Sequence, residues 1–159
     1  MAQTVKKIPD GYGTVTPHLT IGHCAEAVEF YKKAFGAEEL FNHKSPDGRV
    51  MHAEVRIGNS ILMMNDEFPE MGGVQKAPQT LNGTTCNFMI YTEDVDALFA
   101  RAVKAGAQVA MPVADQFWGD RYGQLTDPFA HSWAIATHIA DLTPEQLEKA
   151  AAAAFGGGA

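Results

Sequence analysis

The sequence predicts an α+β fold built from two tandem β-α-β-β-β modules, and three observations carry that prediction. The hydrophobic pattern runs strand, helix, three strands, breaks at a stretch rich in Pro and Gly, and then runs strand, helix, three strands again. The helices repeat in residues as well as in order: AVEFYKKAFGA (27–37) and ALFARAVKAGA (97–107) each start at Ala and end in Gly-Ala. With 159 residues, 46% of them hydrophobic, the chain is long enough to bury a core in one domain or in two small repeated halves.

Residues 1–15 read as an extended arm punctuated by Pro9, Gly11 and Gly13. PHLTIG (17–22) is a short strand. In CAEAVEFYKKAFGAEEL, Ala27, Val28, Tyr31, Ala34 and Phe35 recur at helical spacing, Phe30 widens the stripe, and Gly36 stops the helix as a C-cap. ELFNHK and RVMHAEVRIG are strands joined by the SPDG turn, and SILMMND is a further strand entered through Gly58-Asn59. The first module is therefore 16–67, and the Pro-, Gly- and polar-rich segment 68–84 is a linker. The second module, 85–139, repeats the order: CNFMIYT as a strand, DVDALFARAVKAGAQV as a helix running into a strand, then DRYGQLTD and SWAIATH as strands about the DPFAH turn. Within 140–159, Thr143 and Gln146 form a capping box, Pro144 suits the first helical position and the alanine run is strongly helical. The GGGA end is expected to fray.

Composition excludes several classes. Net charge is −7 and no run of Lys or Arg forms a stripe, so a nucleic-acid surface is not expected. No apolar stretch approaches the roughly 20 residues that cross a bilayer. MAQTVKKIPDGYG has no apolar segment after its lysines, so no secretory signal is expected. Cys24 and Cys86 are far apart and outside any CxxC, and they read as reduced core residues of a cytoplasmic protein. There is no GxSxG, Walker loop or GxGxxG.

Three stretches, TPHLTIGHCAEAVEFYKKAFGAEEL, VMHAEVRIGNSILMMND and FWGDRYGQLTDPFAHSWAIATH, together resemble the vicinal oxygen chelate superfamily. This is the superfamily of glyoxalase I, extradiol dioxygenases and the fosfomycin- and bleomycin-resistance proteins, and the closest likeness is to its PhnB-like branch. The resemblance covers residues 14–139. It implies the glyoxalase/bleomycin resistance fold, in which two modules pair so that their curved sheets enclose a cleft, often completed across a homodimer. The arm and the C-terminal helix are then the elements expected to reach over the partner. In metal-dependent members the ligands come from the first and last strand of each module. Carried over to this chain, those positions are His18, Met63, Asn87 and Ala134. His18 is a good ligand, Met63 a poor one for a hard or borderline divalent ion, and Ala134 no ligand at all. The resemblance thus implies a site without its usual metal, a departure common in the PhnB-like branch.

Strand alternation offers a second set of residues. In VMHAEVRI, Met51, Ala53, Val55 and Ile57 form an apolar face for the helix to cover, and His52, Glu54 and Arg56 form the other face with His18. His18, His52 and Glu54 have the chemistry of a Zn, Ni, Mn or Fe(II) site with open positions, although neighbours on one strand face lie about 7 Å apart. The alternative is that His52 is a hydrogen-bonded wall residue and Glu54 pairs with Arg56 or a neighbour. The same parity puts Thr20, Met63, Asn87, Met89 and Tyr91 on the cleft side, and Phe88, Ile90 and Trp133 in the core. Met63 and Met89 offer adaptable apolar surface, and Tyr91 offers a hydroxyl. Trp118, at the mouth of the second module's strand pair, stacks on a flat ligand or packs on the C-terminal helix or a partner. Arg121 offers charge to an anionic ligand, with its face left open by the alternation. His23, His43, His131 and His138 read as solvated or structural.

Two functions follow. The first is a pocket that sequesters or carries a small, partly aromatic or amphipathic molecule through His18, His52, Glu54, Met63, Asn87, Met89, Tyr91, Trp118 and Arg121, with no cofactor and no assigned catalytic residue. The second is a divalent-metal-dependent lyase or isomerase of the glyoxalase I type, using His18, His52 and Glu54 as rearranged ligands.

Overall fold

The computed structural model describes residues 5–156. Residues 157–159 of the end expected to fray, and 1–4 of the arm, lie outside the described residues. The chain divides into two units, Met1–Gly83 and Thr84–Ala159.

In the first unit, β1 (His18–Thr20) leads to α1 (Cys24–Phe35) and then to β2 (Glu38–Lys44), β3 (Val50–Ile57) and β4 (Ser60–Asn65). The strands form one sheet in the order β1-β4-β3-β2, with β1 and β4 parallel and the other pairs antiparallel. Helix α1 buries Ala27, Val28, Phe30, Tyr31, Ala34 and Phe35, the stripe read from the sequence. It packs on β3 and β2, and Leu19, Val50, Ala53, Val55, Leu62 and Met64 are among the buried residues of the sheet. Each large apolar side chain buried in this way stabilises the fold by about 1.5–3 kcal/mol.

One residue of the expected apolar face is corrected. Met51 is 38% exposed and Val50 takes the buried place, because the β2–β3 register shifts between His43 and Lys44. A bulge of this kind moves every side chain before it to the opposite face. The linker is also more ordered than its composition implied. It holds a 3-10 turn (Pro69–Met71) and α2 (Pro78–Leu81), and Ala77 is buried with its N–H donating to Glu67 Oε1 at 2.5 Å.

The second unit repeats the order: β5 (Asn87–Tyr91), α3 (Val95–Ala105), β6 (Gln108–Asp115), β7 (Asp120–Thr126) and β8 (Ser132–His138), followed by α4 (Pro144–Phe155). Its sheet runs β5-β8-β7-β6, again with the first pair parallel. Trp133, Leu125 and Ile135 are fully buried on the face that α3 covers. Thr143 and Gln146 form both halves of the capping box on α4.

Each of α1 and α3 donates an N–H of its first turn to a side chain near the end of the last strand in its own module, and α3 is capped besides by its own Asp94, which accepts from the Ala97 N–H at 2.9 Å. The residue preceding α1, His23, has φ 63° and makes no side-chain cap. Instead Asp66, just after β4, accepts from the N–H of Cys24 (2.9 Å) and of Val50 (2.7 Å), tying helix, bulge and strand together. In the second unit the Thr137 hydroxyl accepts from the N–H of Val95 at 2.9 Å. These are the orphan donors that every helix N-terminus must satisfy. Asp127 organises the DPFAH turn in the same way, accepting from the N–H groups of Phe129 and His131 and from Trp133 Nε1, each at 2.9 Å.

Asp66 and Asp127 are buried, so removing either carboxylate strands donors that water cannot reach. Asp66→Ala and Asp127→Ala are each expected to lose about 2–4 kcal/mol in urea denaturation, and the Asn variants less, since an amide oxygen keeps one acceptor.

Candidate functional site

A single helix covers each sheet, so the polar residues of the strands collect on the second face. In the first unit, cross-strand pairing lines up His18, Met63, Glu54 and Phe41 in one row over β1, β4, β3 and β2. His52 stands one step along β3 on the same side, opposite His43. The His18 and His52 rings meet edge to face with centroids 5.7 Å apart, and His52 is tilted on Phe41 at 6.0 Å.

Glu54 is the centre of this group. Its Oε1 lies 2.9 Å from His52 Nε2, and its Oε2 accepts from the hydroxyl of Tyr12. These hydrogen bonds, Tyr12 first and His52 second, hold the Glu54 carboxyl below its ordinary range, so it is anionic at neutral pH. The same bond pushes the Tyr12 phenol up. Tyr12 belongs to the arm, which folds back over its own sheet: a Cβ on Gly11 would stand 3.5 Å from Ile61. Arg56, the sequence's other candidate partner for Glu54, pairs with Glu38 instead.

The second unit gathers a different set. Asp120, at the start of β7, is buried and accepts from Tyr91 Oη (3.0 Å) and Trp118 Nε1 (3.1 Å) on Oδ2, while its Oδ1 lies 2.8 Å from His138 Nδ1. His138 Nε2 is 3.1 Å from Asp141. Gly119 makes this approach possible. At φ 96°, any Cβ there would sit 2.3 Å from the carbonyl oxygen of Ala140, so the turn carrying Trp118 and Asp120 could not close on the chain after β8. Trp118 is half-buried, edge to face with Tyr122 (5.4 Å) and Phe117 (5.1 Å), and Phe117 in turn meets Phe155 of α4.

Three sequence expectations change here. Arg121 lies on the helix side of β7 and is held by Asp96 of α3 through two bonds (2.7 and 2.8 Å) and by Asp115 (2.9 Å), so it is committed to the fold. Asn87 is not opposite Ala134: the register pairs Asn87 with Ser132 and Met89 with Ala134, as His18 pairs with Met63. Counting back from the helix end overshot by two residues, of which the shorter α3, 11 residues where α1 has 12, accounts for one. Cys86 is exposed rather than core, whereas Cys24 is buried and its thiol is pushed up to about 12 by burial and by Asp66, which leaves it unreactive.

A family model described as the Glyoxalase/Bleomycin resistance protein/Dioxygenase superfamily matches residues 13–135. The chain belongs to this superfamily. An uncharacterized protein of Mycobacterium bovis is 41% identical to it over 137 residues, 86% of this chain and 90% of that protein. Among solved structures, a PhnB protein from Bacillus cereus superposes with a TM-score of 0.60 at 19% identity, covering 79% of this chain and 99% of that one. TnmS3 from Streptomyces sp. CB03234, described as an antibiotic binding protein, gives 0.56 at 22% identity, covering 76% and 91%. At these identities the structures share the fold.

Against the superfamily's ligand positions, the first module offers His18 beside Met63 and the second Met89 beside Ala134. Among the described residues, no three of His, Cys, Asp and Glu are arranged to hold a metal ion. Of the four residues at the ligand positions, His18 alone carries a good donor for a hard or borderline divalent ion. No helix among the described residues is long and apolar enough to cross a membrane.

Hydrogen bonds to Asp120 and then Asp141 raise His138 above its ordinary value of 6.5. A raised folded-state pKa means that the stabilisation is complete below 6.5 and is lost as pH rises through the folded value. His138→Gln is accordingly expected to melt below wild type at pH 6, with the gap closing by pH 9 in a thermal-denaturation series.

Proposed function

We propose that this superfamily member is a small-molecule-binding protein that holds a partly aromatic or amphipathic ligand against the open faces of its sheets, without the superfamily's metal. The observation that carries the reading is the residue set at the ligand positions: Met63, Met89 and Ala134 replace donors with apolar groups. What stands around them suits a carbon-rich ligand with a few polar groups. Thioethers adapt to shape, Trp118 and Tyr91 offer flat faces, and Glu54 and Asp120 are fixed acceptors. The antibiotic-binding description of TnmS3 supports the same use of the fold. The homodimer and the cytoplasmic location implied by the sequence are parts of this proposal.

The glyoxalase-type alternative would need His18, His52 and Glu54 to converge on one ion, and Glu54 is engaged by Tyr12 and His52. Elemental analysis of tag-free protein, before and after incubation with zinc, nickel, manganese or iron(II), separates the readings. Less than a tenth of an equivalent is expected with each, on the order of the background of a non-specific surface. One equivalent that disappears in His18→Ala would overturn the binding reading. In parallel, a panel of amphipathic aromatic compounds screened by tryptophan fluorescence is expected to give saturable binders that Tyr91→Ala or Trp118→Ala weakens.

A further inference from the structure

The open face of the first module already holds a phenol. The Tyr12 hydroxyl donates to Glu54 Oε2 from 42 residues upstream in the sequence. Glu54 itself stands in the row with Met63 and Phe41, beside His52, and the arm passes Ile61 at the neighbouring Gly11. We infer that Glu54 is the recognition group for a phenolic hydroxyl, and that Tyr12 is a stand-in which an aromatic ligand bearing such a hydroxyl displaces. This rests on the small-molecule-binding reading above and names its ligand class.

The acceptor is built for one donor. Glu54 is half-buried at 15% side-chain exposure, and one oxygen is engaged by His52 Nε2 at 2.9 Å, which leaves Oε2 for a group arriving over the face. A carboxylate accepts only, so the incoming atom must bring a proton. A phenol supplies a strong donor on a flat ring, and the Met63 thioether and Phe41 of the same row are the kind of surface such a ring packs on.

The stand-in is lightly held. Among the described residues, the other hydrogen bonds of residues 5–16 stay within the arm: Lys6 to Asp10, the Tyr12 N–H to the Pro9 carbonyl (3.4 Å), and the Thr16 hydroxyl to the Gly13 carbonyl (3.4 Å). Most of the arm is exposed. Releasing Tyr12 therefore gives up one phenol–carboxylate bond and the packing of the arm at Ile61, and a phenolic ligand replaces the bond in kind. Occupancy by Tyr12 lowers the ligand's apparent affinity by the fraction of time the site is closed.

The test uses the full chain as wild type, Tyr12→Phe and the double variant Tyr12→Phe/Glu54→Gln, titrated with 2-naphthol and with 2-methoxynaphthalene, which has the same ring without the donor. Tyr12→Phe is expected to bind 2-naphthol about tenfold more tightly than wild type, because the competing hydroxyl is gone. With the competitor removed, the double variant is expected to bind it about tenfold more weakly than Tyr12→Phe alone. Adding Glu54→Gln to Tyr12→Phe should leave the affinity for 2-methoxynaphthalene unchanged, because that probe has no hydroxyl for the carboxylate to accept from. Equal affinity for both probes in every variant would overturn the inference while leaving an aromatic-binding face. Unchanged 2-naphthol affinity in Tyr12→Phe would also overturn it, making Tyr12 a structural tether. Tyr12 lies on the arm, so its variant carries the test even if the double variant fails to fold. Whether the protein binds small molecules at all is read separately from the wider panel.

Discussion

One helix can cover only one face of a four-stranded sheet, and everything else in this molecule follows from that. The covered face takes the apolar half of each strand: Ala53, Val55 and Met64 in the first module, Trp133, Leu125 and Ile135 in the second. Alternation then forces the other half out to the second face. There the chain places not a solvated polar surface but a mixture of methionines, aromatic rings and two engaged carboxylates. A sheet with such a face has room for a guest, and the arm's Tyr12 shows one kind of group that settles there.

The four organising carboxylates divide by their donors. Asp66 and Asp127 take backbone N–H groups or a core indole, and they serve the fold by satisfying donors that burial would otherwise strand. Glu54 and Asp120 take side chains instead: phenols, an imidazole each, and an indole at Asp120. Side-chain donors on an arm or a turn can be exchanged for those of a ligand, whereas backbone donors in a helix start cannot. That difference separates scaffold from site more sharply than exposure alone.

Most of the fold was legible in the sequence, because helix and strand periods and the Gly-capped helix ends report local geometry directly. The faces of His18, His52, Glu54, Met63, Met89 and Tyr91 were legible for the same reason. What alternation could not resolve were single-residue shifts. The bulge that swaps Met51 for Val50, and the helix α3 that is one residue shorter than α1, each change parity or count without leaving a mark in composition. Arg121 was ambiguous because both faces of its strand mix polar and apolar residues, and only its bonds to Asp96 and Asp115 settle it. The parts played by Tyr12, Asp120 and His138 were missed, since their partners lie far away in sequence or across a turn. The tight Gly119 turn beside Trp118 was the nearest available signal.

On the proposed reading, ligand binds the open face and not the core under the helix. Adjacent methionines on β4 test it directly, since Met63 shares the face of Glu54 and Met64 is fully buried on the face of Ala53. With methyl-labelled methionine, NMR titration with 2-naphthol should move the Met63 and Met89 methyl resonances and leave Met64 where it was. A Met64 shift as large as that of Met63, or none in either open-face methionine at saturating probe, would contradict the account.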